Sequence, residues 1–494
     1  MSQNKFFISI FLLQRDFFAI FAPIIHSKSK EIFIMLQEFT VENFLSFKDK
    51  QTLNLQPGKA SKKKEHKVEP VKGSWILKTA AMFGPNAGGK SNFVEAFSLS
   101  KRLILQGTPP ETPIEFRPFR LSPDKKKSDT TFTYIIICNG KKYEYGFSYN
   151  AEQITYEWLY QITRKTQYTI FYRDTKDSKF DIPQLLKLNP KEKEQRYLDY
   201  FINDIPRRQL FLHEVISRNL SANVSNIEDL LAVKDWFIDT LKVLFPGTQY
   251  KQGGMLKAVN DDDLKEGFEW LLRYFDTGIE GIDLKEVEFD KLGISQDLQQ
   301  IIRSDLSKAT NADAFGSLRF ENDLYLITYS EGEIKAKKLT TKHKRINDDG
   351  VEYFSLVDES DGTKRIFDYI PLILDLMQGE KVFVIDEMER SLHPVLMRKL
   401  MDLFFKYAND ISTQLIFTTH ESTLMDQDIL RRDEIWLMEK TKGGVSSFVR
   451  LDEKFNLRFD KELEKNYLKG LFGAAPVFGQ ESDILKLRTL VNRQ

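Results

Sequence analysis

Apolar and polar residues alternate along several stretches in the first half of the chain. A period of two is the pattern of strands with one buried and one exposed face. The alternating stretches are 36–41, 52–55, 131–137, 142–147, 154–160 and 168–172. Asn139-Gly140, a dipeptide typical of tight hairpin turns, separates two of them. The pattern therefore predicts an antiparallel β lobe whose first hairpin begins near Met35.

Three other stretches are apolar without alternation, as in strands that are buried on both faces of a parallel sheet. These stretches are 76–83, 382–385 and 414–419. The first is followed by helical spacing over 92–105. Parallel strands need crossover connections, which helices commonly supply. The chain is therefore predicted to be an α/β protein with an antiparallel side lobe.

Helical spacing dominates the middle of the chain, and aromatic residues such as Trp236 and Phe237 recur on its apolar faces. At this spacing the rings predict a packed core rather than a ligand platform. No heptad repeat is sustained, so long coiled-coil arms are not expected. We predict an inserted helical lobe over 198–310 between the two halves of one α/β domain, 35–197 and 311–494.

Residues 1–34 differ from the rest of the chain. They contain two apolar runs, 6–13 and 17–25, separated by polar residues. Neither run reaches the roughly 20 apolar residues that a membrane-spanning helix needs. No small-residue cleavage site of a signal peptide is evident. We interpret 1–34 as an N-terminal extension or a misassigned start, and expect no membrane partner.

The net charge gives no sign of a polyanionic partner, because 72 basic and 72 acidic residues cancel. A nucleic-acid site would have to be a local patch, for which the basic stretch 335–345 is a candidate. The single cysteine, Cys138, excludes an internal disulfide and a thiolate metal cluster, which is typical of a reducing cytoplasm. The six histidines lack the paired spacing of a zinc site.

The most informative motif lies between the apolar strand 76–83 and the helix that follows it. Its residues are Gly84, Pro85, Asn86, Ala87, Gly88, Gly89, Lys90 and Ser91. They match the phosphate-binding pattern GxxxxGK[ST] in full. Glycines let backbone N–H groups approach a phosphate, and the helix N-terminus adds the positive end of its dipole. We predict that Lys90 reaches the β and γ phosphates of ATP, that Ser91 binds Mg²⁺, and that Asn92 lies beside the nucleotide.

Two acids follow the apolar strand 382–385. Asp386, at the carboxyl end of the strand, is predicted to hold Mg²⁺, and Glu387 to orient and deprotonate the attacking water. A surface turn after a core strand is the alternative interpretation of the same two residues.

Three further features surround the acidic pair in a fixed order. Ser360 and Gly362 lie in a loop of small residues before a helix, 389–394 follows the acids, and His420 ends the strand 414–419. Each feature alone has an ordinary interpretation, because such loops often cap helices and a lone histidine is usually structural. Their order along the chain is much less ordinary. Pro371 conflicts with a regular helix after the loop.

In this order the motifs resemble AAA-family proteins with ABC-type heads, akin to the SMC and RecF ATPases. The chain is most similar to the compact standalone ATPases of prokaryotic defence loci, such as RloA, AriA and AbiL-type proteins. The segments that carry the resemblance are 39–47, 84–91, 359–363, 385–387, 391–394 and 419–420. With softer similarities between them, they cover nearly all of the chain after Met35.

The resemblance implies a P-loop NTPase fold of the ABC type, in which two heads enclose ATP and Mg²⁺. The signature loop with Ser360 and Gly362 would complete the site of a second copy, and His420 would sense the γ-phosphate. A homodimer or higher homo-oligomer in the cytoplasm is therefore expected. Gln153 and Gln161 are both candidates for the Q-loop glutamine of the family, and the sequence does not distinguish them.

Two functions remain open at this point. The first is a sensor or regulator ATPase in anti-phage defence, acting on a separately encoded nuclease or toxin, because the sequence offers no second nuclease motif. The alternative is a RecF-like ATPase of DNA repair or DNA clamping, which would bind duplex DNA in a salt-dependent way. An ABC transport subunit is not favoured, because the insert and the strand-rich lobe are unlike a minimal transporter head.

Overall fold

The structure is a computed structural model that divides the chain into two compact units. The residues it describes are 8–11, 33–59, 62–183, 192–225, 227–248, 250–251, 256, 259, 262–307, 314–330, 333–407, 412–455 and 462–473. The larger of the two compact units, which we call the major unit, comprises 32–246, 379–389 and 405–494. The minor unit comprises 1–31, 247–378 and 390–404.

The described part of the chain contains strands and helices in both units. The strands are β1 Ile8–Phe11, β2 Met35–Glu42, β3 Gln51–Asn54, β4 Lys67–Val71, β5 Ser74–Leu77, β6 Thr79–Phe83, β7 Thr130–Cys138, β8 Lys141–Tyr149, β9 Ile154–Ile162, β10 Gln167–Asp174, β11 Lys179–Asp181, β12 Leu241–Leu244, β13 Gly281–Val287, β14 Ala314–Phe320, β15 Asp323–Ser330, β16 Glu333–Lys344, β17 Val351–Ser355, β18 Val382–Ile385, β19 Gln414–Thr419, β20 Ile435–Lys440 and β21 Ser446–Arg450. The α-helices are α1 Lys90–Gln106, α2 Glu192–Asn203, α3 Phe211–Ser217, α4 Glu228–Asp235, α5 Asp262–Tyr274, α6 Gln296–Ser307, α7 Asp361–Gln378, α8 Pro394–Tyr407, α9 Leu451–Lys454 and α10 Leu463–Leu468.

The central sheet of the major unit has the strand order β12-β18-β19-β6-β20-β21. Its first five strands are parallel, and β21 runs antiparallel to β20. Every residue of β6, β18 and β19 is buried, which explains why these strands lack polar alternation. The apolar run 76–83 is two strands rather than one, since β5 pairs with β4 and only β6 joins the central sheet. Parallel strands bring the segments after β6, β18 and β19 to one edge of the sheet.

A second, antiparallel sheet of the major unit has the order β11-β10-β9-β8-β7-β2-β3, as the alternating pattern predicts. Helix α1 packs against this sheet through aromatic residues, with the ring of Phe97 stacked at 3.7 Å on that of Phe39. The two sheets are also joined by the buried side chain of Gln414 on β19. Its amide accepts from the N–H of Leu36 at 2.6 Å and donates to the carbonyls of Leu36 and Leu77.

The minor unit is built on a six-stranded antiparallel sheet of order β1-β14-β15-β16-β13, with β17 paired to β16. Helix α6 buries Ile302 and Leu306 in a core with residues of β14 and β15. Helix α7 is tied to β14 by an ion pair of 3.0 Å between Asp368 and Arg319. Helix α7 begins at the predicted signature loop and runs continuously through Pro371.

The structure departs from the predicted helical lobe 198–310 at two strands. Strand β12 lies in the central sheet of the major unit, and β13 lies in the sheet of the minor unit. Four residues of β12 are too few to show a period, so helical spacing on either side obscures it. Residues 8–11, within the predicted extension 1–34, form β1 and pair with β14. The rest of 1–32 lies outside the described residues.

Candidate nucleotide-binding site

The predicted phosphate loop joins β6 to α1 at the carboxyl edge of the central sheet. Helix α1 begins at Lys90, so Lys90, Ser91 and Asn92 occupy its first turn. Ala87 and Gly89 both have positive φ values, of 60° and 119°. Left-handed residues within such a loop turn successive N–H groups toward one concave side, which is the arrangement that binds anions.

Two of the loop glycines have no room for a side chain. A Cβ on Gly84 would lie 2.6 Å from the carbonyl oxygen of Met438, and one on Gly89 would lie 2.6 Å from Oγ of Ser446. Both obstacles come from the strands β20 and β21. The loop therefore follows its path because its glycines pack directly against these strands, about 350 residues away in sequence.

Hydrogen bonds of two serines, Ser46 and Ser446, support the phosphate loop. Oγ of Ser446 donates to the carbonyl of Gly88 at 2.7 Å, and the N–H of Ser446 donates to the carbonyl of Ser46 at 2.8 Å. The amide of Asn92 donates to Oγ of Ser46 at 2.7 Å. The segment 43–47, which carries part of the resemblance but has no role predicted from the sequence, is thus part of the site. No sequence signal marks Ser446.

Lys90 is buried among the groups of the loop. Its Nζ donates to the carbonyl of Gly84 at 2.7 Å and to that of Pro85 at 3.1 Å. Burial lowers the pKa of Lys90 to about 8, against the opposing charges of Glu389, Asp386 and Glu387. A buried ammonium with three carboxylates around it is suited to an anionic ligand that is itself accompanied by a cation.

The two predicted acids lie at the tip of β18, where Thr418 of β19 connects them. Oγ1 of Thr418 donates to Oδ1 of the buried Asp386 at 2.7 Å and accepts from the N–H of Glu387 at 2.9 Å. The N–H of Met388 donates to the carbonyl of Thr418 at 3.1 Å. The acidic tip and the neighbouring strand therefore form one hydrogen-bonded piece. Sequence reasoning does not single out Thr418.

Glu387 has a left-handed backbone, with φ of 46°. For a residue with a Cβ this conformation costs about 1–2 kcal/mol, and it persists where the surroundings fix it. Here the hydrogen bond to Thr418 fixes it. At this position the buried Asp386 is followed by a residue that is partly exposed.

His420 follows β19 directly and lies beside Lys90. Its Nδ1 is 3.5 Å from Nζ of Lys90. Partial burial and the charge of Lys90 lower the pKa of His420, so the ring is neutral at pH 7. Since an ammonium can only donate, Nδ1 accepts this long hydrogen bond and the ring proton lies on Nε2. The backbone N–H of His420 donates to Oε1 of Glu389 at 2.6 Å.

The predicted signature residues Ser360 and Gly362 lie in the minor unit, at the start of α7. The N–H of Thr363 donates to Oγ of Ser360 at 3.0 Å, which is the bond of a helix N-cap. A Cβ on Gly362 would lie 3.3 Å from the carbonyl of Ser391, in the segment that follows the acidic pair. The loop of small residues and the segment 390–394 are therefore neighbours within this unit.

Both glutamines considered for the Q-loop lie in the antiparallel sheet region. Gln153 lies in the turn between β8 and β9, where its N–H donates to Oδ1 of Asn150 at 3.1 Å. Gln161 lies in β9, opposite Tyr143 and Tyr168.

An open cavity of about 810 Å³ lies beside the phosphate loop. It is lined by Leu45, Ser46, Asn92, Phe116, Arg117, Pro118, Phe119, Arg120, Leu121, Lys126, Lys440 and Gly444. Ser46 and Asn92 are shared with the loop contacts, so the cavity continues directly from the loop. Basic and aromatic side chains occupy its wall.

The residues at this edge fit a magnesium nucleotide. Gly84 and Gly89 let the loop pack against β20 and β21 because neither carries a side chain, and Lys90 supplies a buried cation. Oxygen donors suited to Mg²⁺ come from Ser91 and Asp386. A phosphate-binding loop, an acidic strand tip and a histidine directly after the strand between them are the parts of a P-loop nucleotide-binding site.

The chain belongs to the family described as "AAA domain, putative AbiEii toxin, Type IV TA system", whose profile matches residues 80–426. No curated protein matches the chain. Among solved structures it is similar to the SMC head domain from Thermotoga maritima, with 12% identity and a TM-score of 0.34 over 84% of this chain and 98% of that chain. An SmcHead bound to the C-winged helix domain of ScpA has 13% identity and a TM-score of 0.36 over 85% and 99%. The Smc head domain with ScpA derived from Pyrococcus furiosus has 12% identity and a TM-score of 0.35 over 85% and 97%.

In the part of the chain that the structure describes, no helix has both the length and the apolar character needed to cross a membrane.

Proposed function

We propose that this protein binds ATP with Mg²⁺ at the carboxyl edge of the central sheet and hydrolyses it. The observation that carries the proposal is the convergence of Lys90, the acidic tip and His420 on one edge. Lys90 and the backbone N–H groups of 84–91 bind the phosphates. Ser91 and Asp386 would hold the Mg²⁺ ion that accompanies the nucleotide. A Mg²⁺ ion held there would supply positive charge that offsets the negative charge developing on the phosphate oxygens.

Glu387 is the general base in this proposal, and His420 contacts the terminal phosphate. Glu387 is partly exposed whereas Asp386 is buried, which suits a base that acts on a water molecule. Glu387 orients a water molecule and accepts its proton as the water attacks phosphorus. His420 has its ring proton on Nε2, so it can donate a hydrogen bond to a phosphate oxygen without carrying charge.

The nucleoside occupies the cavity beside the loop. Continuity with Ser46 and Asn92 supports this assignment, because the base and ribose must lie close to the bound phosphates. Phe116 and Phe119 offer apolar surface to the base, and the basic lining residues suit the α-phosphate.

A second copy of the chain completes the site. Ser360 caps helix α7 and Gly362 lies in its first turn, and this helix is long enough for the positive end of its dipole to favour a phosphate. The site so formed would couple ATP binding to dimerisation. Hydrolysis would then release the two heads.

The biological role we propose is a sensor or regulator of a separately encoded effector in anti-phage defence. The family description names a toxin–antitoxin system, which fits an ATPase that acts with a partner protein. Co-purification from the native host with a nuclease or a toxin would support this role, and recovery of DNA alone would contradict it.

A RecF-like or SMC-like DNA-binding ATPase is the second candidate. Strand β16 carries five lysines. Nζ of Lys285 lies 3.6 Å from the ring centroid of Tyr353, and Lys342 approaches the same ring. Lysines around an exposed aromatic ring suit a nucleic-acid backbone and a stacked base. Strong binding of the isolated protein to duplex DNA, with an affinity that falls steeply as the salt concentration rises, would favour this candidate over the sensor or regulator role.

The activity is tested by replacing the proposed base with its neutral isostere, Glu387→Gln. We expect kcat to fall by about 10²- to 10⁴-fold, because the proton acceptor is lost. ATP affinity should be retained, since Lys90 and the loop are unchanged. Phosphate release and binding of a fluorescent ATP analogue measure the two quantities separately.

Glu152→Gln, at an exposed turn of the antiparallel sheet, is the matched control and should hydrolyse ATP like the wild type. Unchanged turnover in Glu387→Gln would remove Glu387 from the role of base. A wild-type protein that neither binds nor hydrolyses ATP would overturn the proposal as a whole.

A further inference from the structure

Glu389 is an acid whose contacts at the site differ from those of Asp386 and Glu387. Its Oε1 accepts the backbone N–H of His420 at 2.6 Å. Its Oε2 is shielded from solvent and has no hydrogen-bond partner among the described residues. A buried carboxylate oxygen without a partner costs free energy and calls for an explanation.

The N–H that Glu389 accepts belongs to the first residue after β19. Ladder bonds end with the strand, so this N–H needs another acceptor. A carboxylate gives it a charge-assisted hydrogen bond, which is stronger than a bond between neutral groups. Together with the bonds of Thr418, it links residues 386–389, which follow β18, to Thr418 of β19 and to His420 directly after it.

Glu389 also acts on the charge of Lys90. Glu389 is one of three carboxylates whose negative charge acts on the Lys90 ammonium. Lys90 in turn contacts the ring of His420. Glu389 therefore reaches His420 both through its backbone and through the neighbouring ammonium.

We infer that Glu389 is a positioning residue, which fixes the backbone of His420 and so holds its ring beside Lys90 for contact with the terminal phosphate. This inference rests on the proposed ATPase function. The carboxylate of Glu389 keeps the bond from Oε1 to the His420 backbone although Oε2 has no hydrogen-bond partner among the described residues. Glu389 acts through His420 and makes no contact with the reacting atoms.

Two substitutions of Glu389 distinguish the effect of its hydrogen bond to the His420 backbone from the effect of its negative charge. Glu389→Gln keeps a carbonyl acceptor for the His420 N–H, whereas Glu389→Ala removes it. We expect Glu389→Ala to lower kcat by up to about 100-fold, because a small displacement of a catalytic group is enough for such a loss. The KM for ATP should change little, and Glu389→Gln should recover most of the lost kcat.

The decisive comparison adds Glu389→Ala to His420→Ala. If Glu389 acts through His420, the double variant should be no slower than His420→Ala alone, since effects of residues that act as one unit are not additive. Glu421→Ala, which removes the neighbouring glutamate that caps a following turn, is the control and should retain wild-type kcat. Thermal denaturation of each variant checks that it is folded.

Independent, multiplying losses in the double variant would overturn the inference and leave the proposed function intact. The inference would also fail if Glu389→Gln were as slow as Glu389→Ala, or if Glu389→Ala had wild-type kcat. Absence of turnover in the wild-type protein would overturn both the inference and the function on which it rests.

Discussion

Thr418 forms hydrogen bonds with both of the acids that are proposed to act on the nucleotide. Its hydroxyl donates to the Asp386 carboxylate and accepts the N–H of Glu387. A single oxygen atom therefore positions both the carboxylate of Asp386, which is proposed to bind the metal, and the backbone of Glu387, the proposed base. Removal of that oxygen should affect stability and activity together.

Thr418→Val should lower the free energy of unfolding by about 1–3 kcal/mol, because the buried Asp386 carboxylate loses a donor and the N–H of Glu387 loses its acceptor. Turnover should fall by about 10-fold or more, because both acids lose their alignment. Thr79→Val is the matched control. Thr79 is equally buried in the same sheet, and its Oγ1 has no hydrogen-bond partner among the described residues, so this change should be tolerated. Chemical denaturation and phosphate release measure the two effects, and equal behaviour of the two variants would contradict the role of Thr418.

At the scale of single residues, the sequence predicts the groups that carry the chemistry better than the groups that hold them. The residues 84–91 and the acidic pair form recognisable local motifs. Ser446 and Thr418 touch those motifs but lie far away in sequence, and serine and threonine in strands carry no signal of their own. Close packing of Gly84 against Met438 is invisible to sequence reasoning for the same reason.

At the scale of elements, α1 joins the loop to the rest of the major unit. Lys101 of α1 donates to the carbonyl of Leu241, the first residue of β12, at 2.6 Å. Burial lowers the pKa of Lys101 to about 8. This contact fastens the helix that carries Lys90 to the edge of the central sheet.

The stability of this contact should depend on pH. Between the folded pKa of about 8 and the usual value of 10.5, the unfolded chain binds more protons at Lys101 than the folded chain does. Raising the pH through this window should therefore stabilise wild-type protein relative to Lys101→Met, by at most about 1.4 kcal/mol per pH unit. Denaturant unfolding of both proteins at pH 7, 8.5 and 10 measures the difference. Parallel pH profiles for the two proteins would contradict the burial of a titrating Lys101.

Long elements with a clear period are predictable, and short ones are not. The buried strands β18 and β19 and the antiparallel strands β7 and β8 follow from their patterns. Strand β12 has only four residues and lies between helical segments, so nothing in the local sequence separates it from them. Its place is set by parallel pairing with β18, about 140 residues further along the chain.

At the scale of the whole molecule, the proposed mechanism needs one composite site in each of two copies. The phosphate loop and acidic tip belong to the major unit, and the signature residues belong to the minor unit. A dimer with two-fold symmetry would use each surface twice, so every site would draw on both chains. ATP hydrolysis should therefore require an intact phosphate loop from one chain and an intact signature loop from the other.

The most direct test mixes two variants, each of which is inactive alone. Lys90→Ala lacks the phosphate lysine but keeps the signature loop, and Ser360→Arg blocks the signature loop but keeps the lysine. In a mixed dimer one site combines the intact half of each chain, so an equal mixture should regain about a quarter of wild-type ATP hydrolysis. An equal mixture that stays inactive, or full activity of Ser360→Arg alone, would contradict a site shared between two copies.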